Sequence, residues 1–416
     1  MKSIKLLFLL LSSLYSIIPT ILSAQMAWTR TTVSAPWSAR YYHTSVVFDN
    51  RIWVLGGWDG NNKNDVWYSS DGVNWTQATD SAGWAARAVH ASVVFDNKMW
   101  VLGGLDDGYR NDVWYSTDGV NWTQATDSAG WSARTSLVSV VFDNKIWVLG
   151  GGDSNGMRND VWNSTDGVNW TQVTDSAQWS PRIRPTSVVF DNKIWVLGGG
   201  DNQSILKRDV WYSIDGVNWT QATDSAGWSA RAVHASVVFD NKVWVLGGLD
   251  VHRERNDVWF STDGDSWTQA TSSAEWSARV GHTSVVFDNR IWMLGGADSH
   301  NYMNDVWYSR GLGITEGDRN SIPQNIFLLK ETYPNPFRTR IDINYNLPEP
   351  KVVRISLYNS AGKEVKVLVT GVQRAGFNKV QWDGSDGLGR SLPAGAYFFC
   401  LTSDGFTEIK KIVKLE

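Results

Sequence analysis

One pattern repeated six times constrains this chain more than any other feature. Each copy has an Arg, the run Ser-Val-Val-Phe-Asp-Asn, an apolar Trp strand ending in Gly-Gly, and Asp-Val-Trp; a Trp-Thr strand closes the first five. The Gly-Gly pairs begin at Gly56, Gly103, Gly150, Gly198, Gly247 and Gly295, at intervals of 47, 47, 48, 49 and 48 residues. A period of that length, with four short strand-like runs per unit, predicts propeller blades.

The sixth unit stops after Trp307-Tyr308-Ser309, without its Trp-Thr strand, and an unmatched Trp28-Thr29 stands near the front of the chain. The count balances only if the N-terminal strand completes the last blade, which also removes open sheet edges. Of 26 Trp, 24 occupy four fixed places per unit. Strands such as Ile52-Trp53-Val54-Leu55 are apolar at consecutive positions, as expected for sheets packed on both faces.

The remainder divides by composition. Residues 1–24 carry Lys2 and Lys5, an apolar run and Leu22-Ser23-Ala24, the pattern of a cleavable secretory signal. No later stretch is apolar for long enough to span a bilayer as a helix. The propeller is expected over 25–310, a Gly-, Ser- and Asn-rich linker over 311–327, and a second domain of short alternating strands, a small Ig-like β-sandwich, over 328–416. The single cysteine, Cys400, excludes a disulfide framework within the chain. Residues 25–327 carry 23 basic against 33 acidic side chains, a balance that argues against nucleic acid as partner.

The repeat resembles the kelch motif, which has an early Arg and His, an apolar strand ending in Gly-Gly, an Asn-Asp pair and a Trp. Here these are, for example, Arg87, His90, Gly103-Gly104, Asn111-Asp112 and Trp122. The resemblance implies an all-β, six-bladed kelch propeller but no single activity, because that fold serves enzymes, glycan binders and protein-interaction modules. The C-terminal domain resembles the type IX secretion C-terminal sorting domain of Bacteroidota type. The matching residues are Tyr333-Pro334-Asn335-Pro336-Phe337, Ile341-Asp342-Ile343, Leu357-Tyr358-Asn359, Trp382-Asp383-Gly384, Ala394-Gly395-Ala396-Tyr397-Phe398 and Lys410-Lys411. That resemblance implies export by the type IX machinery through 328–416, with the propeller released or held at the outer-membrane surface.

Candidate chemistry is sparse. His43, His90, His234 and His282 follow the repeat Arg by three residues, near the channel, where blades three and four have Leu137 and Pro185. A metal or acid/base role competes with a scaffold role, since the kelch pattern carries His there. One Arg (Arg40, Arg87, Arg134, Arg182, Arg231, Arg279) and one Asp (Asp65, Asp112, Asp160, Asp209, Asp257, Asp305) per blade suggest structural pairing. A propeller without Cys excludes a copper–radical site built on a Cys–Tyr pair, and neither a phosphate loop nor a zinc signature is present.

Otherwise near-identical units diverge in two places, after Gly-Gly and after the Arg. In kelch topology both connections emerge on one face, so that face reads as binding loops over a constant scaffold, with neutral drift as the alternative. Its candidate contacts are Tyr41, Tyr42, Trp58, Tyr109 and Tyr302, with Arg110, Arg158, Arg184, Lys207, Arg253 and His300. The expectation is a monomeric, cofactor-free binding protein for an extracellular glycan or protein. The alternative is a sugar-active enzyme with its site in the central channel.

Overall fold

The computed structural model describes residues 26–310, 328–329, 337–347, 350–360, 362–374, 376–403 and 406–415. The expected signal at 1–24, the linker at 311–327 and the Tyr333–Pro336 motif lie outside the described residues. The chain divides into two compact units between Gly313 and Ile314, and the described residues contain strands and no α-helix.

The first unit is a six-bladed β-propeller. Blades one to five each have four main antiparallel strands in sequence order, as in Thr44–Phe48, Arg51–Trp58, Asn62–Ser69 and Thr76–Thr79 of blade one, and blades four and five add the two-residue strands Arg182–Ile183 and Arg231–Ala232. The innermost strands, Thr44–Phe48, Ala91–Phe95, Val138–Phe142, Thr186–Phe190, Ala235–Phe239 and Thr283–Phe287, touch neighbour to neighbour, and the sixth touches the first. The N-terminal strand Ala27–Thr32 pairs antiparallel with Tyr302–Arg310 and completes blade six, as the strand count predicts.

Aromatic packing repeats with the blades. The Trp of each Trp-Thr strand meets the Trp that opens its blade edge-on, as Trp37–Trp75 at 6.0 Å and Trp84–Trp122 at 5.9 Å. In blade six the pair is Trp276 with Trp28, at 5.9 Å and 88°, so the first strand of the chain takes the position that the sequence leaves empty. Separate apolar clusters fill the seams between adjacent blades, which is why the second strand of each blade is buried along both faces.

The Arg and Asp series pair one to one within each blade. Arg87 Nη1 and Nη2 lie 2.6 and 2.8 Å from the two oxygens of Asp112, and Nη1 also donates to the Gly103 carbonyl at 3.0 Å. Burial alone would raise the Asp112 carboxyl, but the Arg87 guanidinium outweighs it and holds it below the usual carboxylate range. Equivalent bidentate pairs in all six blades tie the connection between blades to the third strand.

The second unit is a sandwich. A sheet of Leu328–Leu329, Ile341–Leu347 and Gly376–Trp382 accompanies one ordered Glu364–Gln373, Lys351–Asn359, Gly395–Ser403, Phe406–Lys414. Ile341, Ile343, Leu357, Trp382, Phe399 and Ile412 are buried in its core. Phe337 is buried there too, its ring centre 5.3 Å from that of Trp382 and tilted by 55°.

Candidate functional site

The two variable segments of each blade are paired by backbone. Residues after the Arg bridge to residues after Gly-Gly: Tyr41 to Trp58, Ala88 to Leu105, Thr135 to Gly152, Ile183 to Gly200, Ala232 to Leu249 and Val280 to Ala297. The diversified residues therefore share one face, as the topology argument requires.

At the centre of that face the chain closes a hydrogen-bonded ring. The N–H of Val89 donates to the Tyr42 carbonyl, Ser136 to Val89, Arg184 to Ser136, Val233 to Arg184, Gly281 to Val233 and Tyr42 to Gly281, at 2.9–3.4 Å. All six residues have φ between +53° and +60°, and only one is glycine. Left-handed backbone at a β-branched residue such as Val89 or Val233 costs on the order of 1–3 kcal/mol and persists only where surroundings over-determine it. Here one hydrogen bond per residue and the blade-to-blade closure hold it.

The ring surrounds the channel mouth, a cavity of about 170 Å³ lined by Tyr42, Ser136, Arg184 and the four repeat histidines, among others. Arg184, in blade four, lies with its guanidinium carbon 5.0 Å from the ring centre of Tyr42, in blade one. Those blades are opposite in a ring of six, so the pair crosses the mouth. Tyr42 packs on Tyr41 at 4.2 Å and Tyr41 stacks on Tyr302 at 5.1 Å and 22°. Burial raises the Tyr41 and Tyr42 phenols above their usual range, so both stay neutral. Tyr41, Tyr42, Tyr302 and Arg184 thus form one patch at the seam of blades six and one.

The other candidate contacts stand apart from it. Trp58 is half-buried against the Tyr41 backbone, and Tyr109 is exposed in blade two. Arg110 pairs with Asp106 at 2.5 Å, Arg158 with Asp153 at 2.7 Å and Lys207 with Asp201 at 2.6 Å. These cations are held by the Asp that follows Gly-Gly in their own loops. Arg253 and His300 are exposed at loop tips, where the Arg253 and His300 N–H groups donate to Asp250 and Asp298. The loop carboxylates cap turns and hold cations, and among the described residues no group of three or more His, Cys, Asp or Glu is placed to hold a metal ion.

The four histidines line the channel yet are buried. Burial, and then the positive Arg of the same blade, pushes His90, His234 and His282 down to about 3 and His43 well below its ordinary range. Neutral imidazoles then meet hydroxyls across blade seams: His90 Nε2 to Thr44 Oγ1 at 3.0 Å, His234 to Thr186 at 2.9 Å and His43 to Thr283 at 3.2 Å. A Cβ on Gly56 would stand 3.1 Å from His90 Cε1, so the ring is a spacer fitted over the Gly-Gly of the preceding blade. This geometry supports the scaffold role.

Sequence reasoning missed two features. The Ser of each Ser-Val-Val-Phe run (Ser45, Ser92, Ser139, Ser187, Ser236, Ser284) lines a second cavity of about 220 Å³ further along the channel. Those serines looked like scaffold because every blade has one. The Thr–His seams did leave a signal: the blade before Leu137 begins its strand with Ala91 and the blade before Pro185 with Val138, whereas three of four blades before a His begin with Thr. The exception is Ala235, before His282.

These observations define the class: a kelch-repeat β-propeller protein with an Ig-like C-terminal domain. The Kelch motif matches residues 39–68, the KLHDC2/KLHL20/DRC7 Kelch-repeats domain matches residues 74–248, and the FlgD Ig-like domain matches residues 337–405. A solved structure described as "Structure of YjhT" superimposes with a TM-score of 0.56 at 14% identity, covering 67% of this chain and 96% of that one, a likeness of fold alone. No curated protein matches the chain.

Proposed function

We propose that the propeller is an extracellular recognition module that binds carbohydrate on the variable face, beside the channel mouth. The observation that carries this reading is the Tyr41–Tyr42–Tyr302 cluster with Arg184 above Tyr42. Pyranose rings present apolar C–H faces that stack on tyrosine, while Arg donors address hydroxyl or acidic substituents. Tyr302 is 41% exposed, so the platform is available to a ligand, whereas most of the surrounding loop cations are held by carboxylates.

Recognition is favoured over catalysis by the lining of the channel. Among the described residues, neither cavity is lined by Asp or Glu, and the four histidines are neutral spacers. Sugar hydrolysis generally uses two carboxylates flanking the scissile bond. Export fits the expected signal at 1–24, and the sorting-domain resemblance assigns 328–416 the role of an address for type IX secretion, with the propeller at the outer-membrane surface or released.

A glycan array followed by titration of the full-length protein tests the binding reading. Saturable binding that Tyr302→Ala weakens at least tenfold, with Tyr109→Ala as an unaffected control, supports it. A Tyr302→Ala variant that binds like the parent, or an absence of glycan binding together with capture of a defined protein ligand, overturns it. Localisation of the chain with and without residues 328–416 tests the export reading, which fails if the truncated chain reaches the surface equally well.

A further inference from the structure

We propose that the central channel below the Arg184–Tyr42 pair is a second site, for one small, neutral, hydroxyl-rich molecule. It shares the Arg184–Tyr42 pair with the carbohydrate patch of the outer face but does not require that a ligand bind there. Three features of the channel point the same way.

The first is an asymmetry in the histidine collar. Three of its imidazoles meet a threonine across the seam through Nε2, but His282 faces Ala235, and its Nε2 alone among the four has no side-chain partner. The Leu246 backbone also acts on the ring, as a hydrogen-bonding group of the protein. His282 is 4% exposed and lines both cavities, as His90 does, so it stands where the mouth and the lower channel meet. A buried polar group of this kind is costly unless a donor or acceptor reaches it. A ligand hydroxyl at the Ala235 side would take the place that Thr44, Thr186 and Thr283 fill in the other seams.

The second is the chemistry of the wall. Five of the six channel serines, Ser45, Ser92, Ser139, Ser236 and Ser284, have a buried Oγ without a protein partner. Each is both donor and acceptor. The wall of the lower cavity carries no ionised group, because its histidines are neutral and the repeat arginines are paired with aspartates. A charged ligand would lose its hydration without a counter-charge, whereas a neutral polyol matches a wall of hydroxyls. Opposite His282 the collar is apolar, with Leu137, Val138 and Pro185 lining both cavities. The collar therefore offers a hydrogen-bonding side and an apolar side, which suits a compact ring or chain with C–H and O–H faces.

The third is the strap. Arg184 spans the mouth to Tyr42 above this cavity, from a left-handed backbone position held in the ring. It narrows the channel from that face, so a ligand entering through the mouth passes beside it.

Titration calorimetry and thermal shift on the full-length protein, with glycerol, xylitol, myo-inositol and glucose as probes and glucuronate as a charged control, test the proposal. One neutral probe is expected to bind with unit stoichiometry and raise the melting temperature, and glucuronate to bind at least tenfold more weakly. Ala235→Thr supplies the missing hydroxyl from the protein and is expected to weaken the bound probe at least tenfold while the variant stays folded. Arg184→Gln is expected to speed association and dissociation together where the ligand enters through the mouth. Tyr302→Ala should leave channel binding unchanged, which separates this site from the outer patch. The proposal is overturned if no neutral probe binds, if Ala235→Thr binds like the parent, or if a crystal grown with the probe holds only water in the channel.

Discussion

A β-carbon on Gly119 would stand 2.1 Å from Cζ3 of Trp53, the tryptophan of the preceding blade. The Asp-Gly turn of blade two thus closes onto the flat ring of blade one, and Gly72, Gly167, Gly216 and Gly264 do the same against Trp292, Trp100, Trp147 and Trp195. Gly119 also has φ +75°, a left-handed conformation. Gly119→Ala therefore combines a steric clash with backbone strain. It is expected to cost about 2–4 kcal/mol, read as a fall in the urea midpoint. A midpoint within error of the parent would show that Trp53 can move aside and that the seams are softer than their packing implies.

The Arg87–Asp112 pair yields a sharper contrast. Arg87 is fully buried and its guanidinium is held by Asp112 and the Gly103 carbonyl. Asp112→Asn leaves a buried cation without its counter-charge and is expected to cost about 3–5 kcal/mol. Arg110→Gln, which removes an exposed loop cation paired with Asp106, is expected to cost less than about 1 kcal/mol. Denaturant titration of both variants decides whether the six repeat pairs are structural. Equal costs would contradict that assignment.

The collar histidines make stability depend on pH. Their folded pKa lies near 3 for His90, His234 and His282, below the unfolded value of about 6.5. The unfolded chain therefore binds protons that the folded chain refuses, and stability rises with pH across that interval. The contribution is fully present above about pH 6.5 and is lost as pH falls toward 3. Each buried histidine contributes a slope of up to about 1.4 kcal/mol per pH unit. Between pH 6 and 4.5, above the ordinary carboxylate range, the urea midpoint should fall, and His90→Gln should flatten that fall by one proton. A midpoint that rises on acidification would mean that the imidazoles are charged in the fold.

Thr44 and Ala235 occupy equivalent positions before a histidine, and only Thr44 carries a hydroxyl. Thr44→Ala should leave His90 as His282 is, at a cost of about 1–3 kcal/mol. The reverse change, Ala235→Thr, should stabilise by about 0.5–1.5 kcal/mol. Opposite signs in melting temperature for the two variants are expected. Equal signs would show that the seam hydroxyls do not bond the imidazoles in solution.

Much of the ring was legible in the sequence because periodicity reports architecture directly. The Gly-Gly intervals, the orphan Trp28-Thr29 and the one-to-one count of Arg and Asp all correspond to observed blades, closure and ion pairs. The mouth was less legible for physical reasons. Arg184 and Tyr42 meet across the channel axis, a proximity set by ring closure and by no local pattern. Tyr42, Val89 and Ser136 carry no signature of left-handed backbone, since that conformation is imposed by the ring of hydrogen bonds. Cations such as Arg110 and Arg158 looked available because sequence does not show that each bends back onto its own loop aspartate.

Closure by the N-terminal strand is the relationship on which the rest depends. Ala27–Thr32 covers the outer edge of Tyr302–Arg310, Trp28 meets Trp276 edge-on, and the Trp28 N–H donates to Glu275 at 3.1 Å. Met26 is buried beside them. Removing the chain up to Thr32 would expose an unpaired strand edge and an apolar seam between blades five and six, the kind of surface that recruits another chain. Such a truncation is expected to aggregate or associate further by sedimentation velocity, whereas Trp28→Ala, which keeps the strand pairing, should sediment as the parent does at a cost of about 3–5 kcal/mol. Adding a peptide of residues 26–32 to the truncated chain should restore part of the parent's sedimentation behaviour. A truncated chain that sediments as the parent does and is as stable would show that blade six holds with three strands, and that the latch is dispensable to the ring.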